Sequence, residues 1–265
     1  MIQTKKQGNL EYLCADGITA PHCFTTRYGG VSEGIFSSMN IAIKEGESEE
    51  NVRENLRILG SALGFSLSDL VPTRQTHSDI VRVVGREDAI SCFHRDMPEC
   101  DALVTNTPGL ALMIFTADCT PLLLHDPVTG AVGAAHAGWR GTASAIGAKT
   151  VRAMVEHFGC KPENIRAAIG PNIAQCCFET DADVPDALRT ALGREVDAFV
   201  KMRGSKFFID LKQVNALILR RAGVQHIEIS DDCTACQHQR FWSHRVTKGQ
   251  RGSQGAIIVC KEVTR

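Results

Sequence analysis

The sequence predicts a mixed α and β protein with mixed sheets, and three observations carry that class. Short β-type runs crowd the middle of the chain, apolar stripes of helical period stand on both sides of them, and several links between runs are too short for a crossover helix. The first element justified this way is a helix from Glu49 to Leu63. It sets Val52, Leu56, Leu59 and Leu63 on one stripe and leaves Glu and Arg elsewhere. Strand-like runs follow at Ile80 to Val84, Ala102 to Thr105, Ala111 to Thr116, Leu122 to His125 and Ala131 to His136. The turn residues Thr107-Pro108-Gly109 and Asp126-Pro127-Val128-Thr129-Gly130 predict antiparallel neighbours on either side of each turn. Beyond Gly141 the period changes. Ile146, Val151, Met154, Val155 and Phe158 form a helical stripe that stops at Gly159, near Pro162. Strands at Ile165 to Ile169, Phe207 to Ile209, His226 to Ile229 and Ala256 to Val259 then alternate with helices at Asp183 to Leu192 and Leu211 to Ala222.

The 265 residues contain no repeat, low-complexity tract or Pro/Ser-rich linker, so one domain over residues 1–265 is expected. A hydrophobic fraction of 43% with 22% charged residues argues against disorder. The longest apolar stretches, such as Gly109 to Phe115, fall far short of the roughly 20 residues a membrane helix needs, so no membrane partner is expected. With 29 basic against 30 acidic residues there is no field to draw a nucleic acid. The polar start from Met1 to Asn9 and an odd total of eleven cysteines predict a cytoplasmic protein with mostly reduced thiols. His125 and His157 read as structural, whereas His22, His94 and His226 suggest no role.

Three residues of metal-ligating type fall where predicted strands end or loops begin: His77, Cys119 and His136. A sheet holds such side chains rigidly while the loop leaves room for substrate. Two imidazoles and a thiolate match zinc, and three protein ligands leave a fourth tetrahedral position open, the pattern of a catalytic metal. Spacing alone leaves open two core histidines and a core cysteine. The stretch His136-Ala-Gly-Trp-Arg-Gly-Thr142 suits an anion facing a helix start, with Arg140 as a forked donor, and Arg27 beside Gly29-Gly30 suggests a second anion site. Trp139 and Trp242 are equally suited to stacking a purine or to packing.

An ordered series of motifs spans nearly the whole chain: Phe24-Thr-Thr-Arg-Tyr-Gly-Gly-Val-Ser32, Ser38-Met-Asn40, Gln75-Thr-His77, Asp101-Ala-Leu-Val-Thr105, Ala117-Asp-Cys119, His136-Ala-Gly-Trp-Arg-Gly141, Ala168-Ile-Gly-Pro171 and Cys233-Thr234. The series resembles the laccase-domain family, whose members have been called polyphenol oxidases and purine nucleoside phosphorylases. The resemblance implies a sandwich of mixed β-sheets flanked by helices, with zinc at His77, Cys119 and His136. It further implies phosphorolysis of adenosine, inosine, guanosine and methylthioadenosine, with adenosine deamination at the same site. Asn40 joins Arg27 and Arg140 as an expected substrate-binding residue, the two arginines holding phosphate. For deamination, Asp118 and Glu179 are the carboxylates considered as proton shuttle. Two departures concern substrate preference: Cys176-Cys177-Phe178-Glu179, where the family commonly has a Tyr-Glu pair, and Ser243-His244-Arg245-Val246, in place of a Ser-Tyr-Arg-Arg-like stretch.

Three other readings stay open. A copper polyphenol oxidase fits the ligand types, although nine histidines without a His-x-His pair argue against a multicopper centre. A metal-free hydrolase would use Cys119 as nucleophile and His136 or His77 as base. In a non-enzymatic interaction domain, Cys233-Thr-Ala-Cys236 with His238 or His244 would form a structural zinc clamp.

Overall fold

The computed structural model describes residues 1–89 and 97–262; His94 lies outside them. Two six-stranded mixed sheets pack face to face. The first has the order β1 (Ile2–Gln7), β2 (Leu10–Ala15), β3 (His22–Thr25), β15 (Gln254–Val259), β7 (Ala111–Thr116) and β4 (Leu70–Pro72). The second runs β14 (His226–Ile229), β10 (Arg166–Ile169), β8 (Thr120–His125), β9 (Val132–Ala137), β6 (Ala102–Thr105) and β5 (Val81–Val83). The predicted mixed sheets are therefore present. β4 with β7, β5 with β6 and β10 with β14 are parallel, and the remaining pairs in the two sheets are antiparallel.

Alternation along each strand divides the core into layers. Leu112 and Ile114 of β7, with Ala256 and Ile258 of β15, meet Leu103, Leu123, Val132, Ala134 and Ala168 of the other sheet. The intervening residues Ala111, Met113, Ile257 and Val259 face outward and are covered by Val52, Leu56, Leu59 and Leu63 of α1 (Glu49–Leu63). Across the sandwich, Ala102, Val104, Leu122, Leu124, Ala135 and Ile169 pack under α3 (Ile146–Phe158) and α5 (Leu211–Arg221). Burial on both faces is why these strands read as continuous apolar runs rather than as alternating ones.

α1 starts at Ser48, whose side chain accepts from the Asn51 N–H, and ends at Gly64 with φ 79°. α3 ends the same way at Gly159. A short helix, α2 (Trp139–Ala143), follows β9 directly. A smaller sheet of β11 (Glu179–Thr180), β13 (Lys206–Ile209) and β12 (Val200–Arg203) packs with α4 (Asp183–Leu192) around Val184, Leu188, Val196, Ile209 and Val214. One more short helix, α6 (His244–Thr247), precedes β15.

One expected pairing is corrected. The Asp126 to Gly130 turn does join an antiparallel pair, β8 and β9. The Thr107-Pro108-Gly109 turn does not: β6 pairs with β9 and β5, whereas β7 pairs with β15 and β4. That turn carries the chain from one sheet to the other. The segment 117–119 carries it back and holds Asp118 and Cys119 between the sheets.

Candidate metal centre and its cavity

His77, Cys119 and His136 converge at the end of the sandwich. Their ligand atoms all lie within 4.8 Å of one another. Cys119 Sγ is 3.8 Å from His77 Nε2, and the two imidazoles meet edge on with centroids 4.9 Å apart. His136 sits in β9, Cys119 immediately before β8, and His77 in the loop after β4. The close approach needs glycine next to the strand end: a Cβ on Gly138 would stand 2.9 Å from His77 Cδ2 and 3.3 Å from Cys119 Sγ.

Asp101 fixes this geometry, and the sequence reading gave it no role. Its Oδ1 accepts from the His77 N–H at 3.1 Å and faces His136 Nδ1 at 2.7 Å. Its Oδ2 accepts from the Thr76 N–H, the Ser78 N–H and the Ser78 hydroxyl. With Nδ1 engaged, His136 presents Nε2 to the centre, the usual outer-shell device for a metal-bound histidine. Burial alone would raise the Asp101 pKa, but the bonds from His136, Ser78 and Thr76 outweigh it and hold the carboxyl down at about 2. Burial likewise opposes ionisation of Cys119 and His136. The attraction between them prevails, lowering the thiol to about 6 and raising the imidazole to about 9.

Backbone strain collects at the same place. His77 has φ 59° and Asp118 φ 86°, both in the left-handed region that non-glycine residues avoid. Asp118 is held there by the Thr234 hydroxyl at 2.6 Å, the Ser243 hydroxyl at 3.1 Å and the Arg245 N–H at 2.7 Å. Its carboxylate is thus engaged in positioning the loop before Cys119.

The centre opens into a cavity of about 450 Å³, a size suited to a small-molecule ligand. Phe115, Ile173 and Phe178 supply apolar wall, and His244, Arg245 and Arg251 bring the basic groups. Arg251 donates through Nη1 to the Gly252 carbonyl at 2.8 Å and the Ser253 hydroxyl at 3.1 Å. Its buried Nε–H has no partner among the described residues. Arg245 donates to the Cys177 and Glu179 carbonyls, both at 3.0 Å.

The residues expected to bind substrate lie elsewhere. Arg27 donates to the His238 and Ser37 carbonyls and stacks 3.8 Å above the ring of Trp242. Trp242 is buried and donates to the Met39 carbonyl, so it packs instead of lining the cavity. Asn40 is fully buried; its amide donates to the Ala42 carbonyl and Glu47, and its oxygen accepts from the Ala42 and Ser253 N–H groups. Arg140 is exposed and lies over Trp139, 4.2 Å from the ring centroid. None of these residues lines the cavity, and neither does exposed Glu179. Both departures from the family pattern do reach it, through Phe178 and through His244 and Arg245. The alternative clamp of Cys233 and Cys236 with a histidine takes a different form. Cys176 and Cys177 approach that pair, while His238 Nδ1 faces the Ala235 carbonyl and His244 lines the cavity.

A family profile described as multi-copper polyphenol oxidoreductase laccase matches residues 21–261. The chain belongs to that family. A purine nucleoside phosphorylase of Deinococcus radiodurans is 41% identical over 253 residues, covering 94% of this chain and 92% of its own length. Adenosine deaminase RL5, from an unknown prokaryotic organism, is 35% identical and covers 87% and 90%. The crystal structure of YlmD from Geobacillus stearothermophilus superposes with a TM-score of 0.90 at 34% identity, over 98% of this chain and 99% of that one. The chain accordingly has the family's sandwich fold and is an enzyme of this family.

The ligand set fits a tetrahedral transition metal. Bonds of about 2.0–2.3 Å to nitrogen and sulfur put ligand atoms roughly 3.3–3.8 Å apart, and Cys119 Sγ stands 3.8 Å from His77 Nε2 with all three atoms within 4.8 Å. Among the described residues, His, Cys and carboxylate side chains form two groups able to hold a metal, this one and a cluster of four cysteines. No helix among those residues is long and apolar enough to cross a membrane.

Proposed function

We propose that the chain is a zinc-dependent purine nucleoside phosphorylase that also deaminates adenosine at the same site. On this reading it acts as a single-domain cytoplasmic enzyme on adenosine, inosine, guanosine and methylthioadenosine. One observation carries the reading: a two-histidine, one-thiolate centre and two arginines, Arg245 and Arg251, share one cavity of nucleoside size. Relatives named as purine nucleoside phosphorylase and as adenosine deaminase support both activities.

His77 Nε2, Cys119 Sγ and His136 Nε2 are the atoms that would hold the zinc, and zinc there supplies a Lewis acid. The remaining work falls to the chain. Phe115 and Phe178 offer flat apolar surface to the purine and strip water from the glycosidic bond. Arg251 brings its guanidinium charge to the cavity wall for phosphate, and Arg245 adds a second cation. Phosphate oxygen forms a bond to C1′ as the bond to the purine nitrogen breaks, the electron pair leaving with the base. That base must gain a proton. His244, whose pKa burial and the neighbouring Arg251 lower, faces the cavity as an exchangeable donor and acceptor. This arrangement moves phosphate binding from Arg27 and Arg140 to Arg251.

Incubating metal-quantified protein with adenosine, with and without phosphate, tests the reading. Adenine with ribose 1-phosphate, formed only when phosphate is present, is the expected product pair. A zinc-loaded protein that releases no base at any phosphate concentration would overturn it. Oxidation of a phenol in place of either reaction would favour the copper alternative.

A further inference from the structure

Cys176 and Cys177 lie beyond the C-terminal end of β10, and Cys233 and Cys236 beyond that of β14. These strands are parallel neighbours, so the loops that follow them emerge side by side. An isolated bridge between Asn172 and Cys233, with the Thr234 N–H donating to the Asn172 carbonyl, continues the alignment past the sheet. The fold thus brings four thiols together from positions far apart in sequence. All four sulfurs lie within 4.8 Å of one another. Cys236 is 3.5 Å from Cys176 and 3.3 Å from Cys177, well beyond the roughly 2.05 Å of a disulfide.

We propose that Cys176, Cys177, Cys233 and Cys236 form a second zinc site, a closed tetrathiolate that braces one wall of the catalytic cavity. Four Zn–S bonds of about 2.3 Å put the sulfurs of a tetrahedron roughly 3.8 Å apart, within the range these thiols occupy. Four thiolates fill the coordination shell and leave no position for substrate, which makes the site structural. The surroundings of Cys233 suit a thiolate. Cys233 Sγ accepts from the Ala174 N–H at 3.3 Å, and the turn at Cys233-Thr-Ala-Cys236 is closed by the Gln237 N–H on the Cys233 carbonyl. Arg245 donates to the Cys177 carbonyl, and the buried ammonium of Lys212 donates to the carbonyls of Ser230 and Asp232, one residue before Cys233. Each thiol that binds releases its proton, and these two cations stand near the resulting net negative charge.

The bracing follows from what the two loops carry. One bears Phe178 of the cavity wall. The other bears Thr234, whose hydroxyl holds Asp118 next to Cys119. The inference rests on the cluster and stands apart from the reaction assigned above; only the zinc count of the unsubstituted chain draws on that reading.

The test uses the full chain with Cys119→Ala, purified without added metal under reducing conditions. About one zinc per chain should remain, against about two in the unsubstituted protein. Cobalt(II) exchanged into the Cys119→Ala chain should give the intense sulfur-to-metal absorption and the visible bands of a tetrahedral tetrathiolate. Adding Cys176→Ser, at an exposed position that a folded chain tolerates, should weaken those bands and lower the retained zinc. A folded Cys119→Ala chain without zinc, whose four thiols react freely with a thiol reagent, would overturn the proposal. Mass spectrometry of the unreduced protein showing a disulfide among these cysteines would overturn it equally.

Discussion

Arg27 and Arg251 make an instructive pair. Each is a partly buried arginine near the end of the sandwich, but their donors are used differently. Arg27 spends its guanidinium on two backbone carbonyls and the face of Trp242, a strut between the 37–39 and 238–242 segments. Arg251 anchors itself through Nη1, keeps a buried Nε–H without a partner among the described residues, and lines the cavity that also holds a metal-ligating centre. The difference separates a residue that holds the fold from one ready for a ligand. A buried donor left unsatisfied costs stability, so its presence in a residue beside a cavity calls for a functional explanation.

The largest effect belongs at the centre itself. Cys119→Ala and His136→Ala should each lower turnover by about 10³-fold or more and remove zinc from that centre in a chain that still folds, with His136→Ala the less stable of the two because it leaves the buried Asp101 carboxylate without its partner. Full activity with full zinc in either variant would remove the residue from the site. Asp101→Asn comes next. It keeps the shape but weakens the hold on the His136 tautomer, so zinc affinity should fall about 10–100-fold, the range of outer-shell losses. Chelator titration reads this directly; an unchanged zinc affinity would make Asp101 a loop anchor only.

The arginine pair is then compared variant against variant. Arg251→Ala should raise the phosphate requirement or lower phosphorolysis about 10–100-fold, as expected for loss of a charge-assisted bond, with deamination less affected. Lysine should rescue in part, because it restores charge without the planar fork. Arg27→Ala should instead cost about 1–3 kcal/mol of stability and leave the phosphate dependence of the folded fraction alone. Arg27→Ala losing phosphorolysis at unchanged stability would reverse the comparison and return phosphate to the place first expected from sequence.

Why the first expectation chose Arg27 is physical. A Gly-Gly loop beside an arginine advertises an anion site locally, whereas Arg251 is tied to Cys119 only by the fold, and no spacing connects them. The same distinction runs through the elements. Glu49–Leu63 was legible because one face packs and the other is wet. β6 and β7 were legible as strands, but with both faces buried the period-two signal could not say which sheet each joins, so their turn read as a hairpin. β1, with lysines at positions 5 and 6 and five of its six residues exposed, is a polar edge strand that carries no apolar pattern to read. The triad was legible through the family motifs. Asp101 opens the Asp101-Ala-Leu-Val-Thr105 motif without its role being evident, since a carboxylate that accepts from three backbone N–H groups and faces a distant histidine leaves no local trace.

His125 sharpens the contrast, because it carries a partnerless buried atom far from any proposed chemistry. It closes β8, and its Nδ1 is buried without a partner among the described residues. If a spare donor alone marked function, His125 would qualify as Arg251 does; it lacks the cavity shared with a metal centre. Its signature should therefore be stability, and the sign follows from its titration. Burial lowers the His125 pKa from 6.5 to about 4, with His22 adding to the effect and Asp126 opposing it. Between those values the unfolded chain binds the proton that the folded chain refuses, so His125 favours folding fully above pH 6.5 and progressively loses that contribution as the pH falls toward 4. The loss by pH 4.5 amounts to about 2–3 kcal/mol. Replacing His125 with Gln keeps a polar side chain of similar reach and removes the titration. Urea unfolding at pH 7 and pH 4.5 should then show a smaller acid penalty in the variant than in the unsubstituted chain, with phosphorolysis at pH 7 unaffected in the folded protein. An equal acid penalty in both chains would assign the acid sensitivity to other groups, such as His22, and a selective loss of activity at neutral pH would give His125 the functional role denied it here.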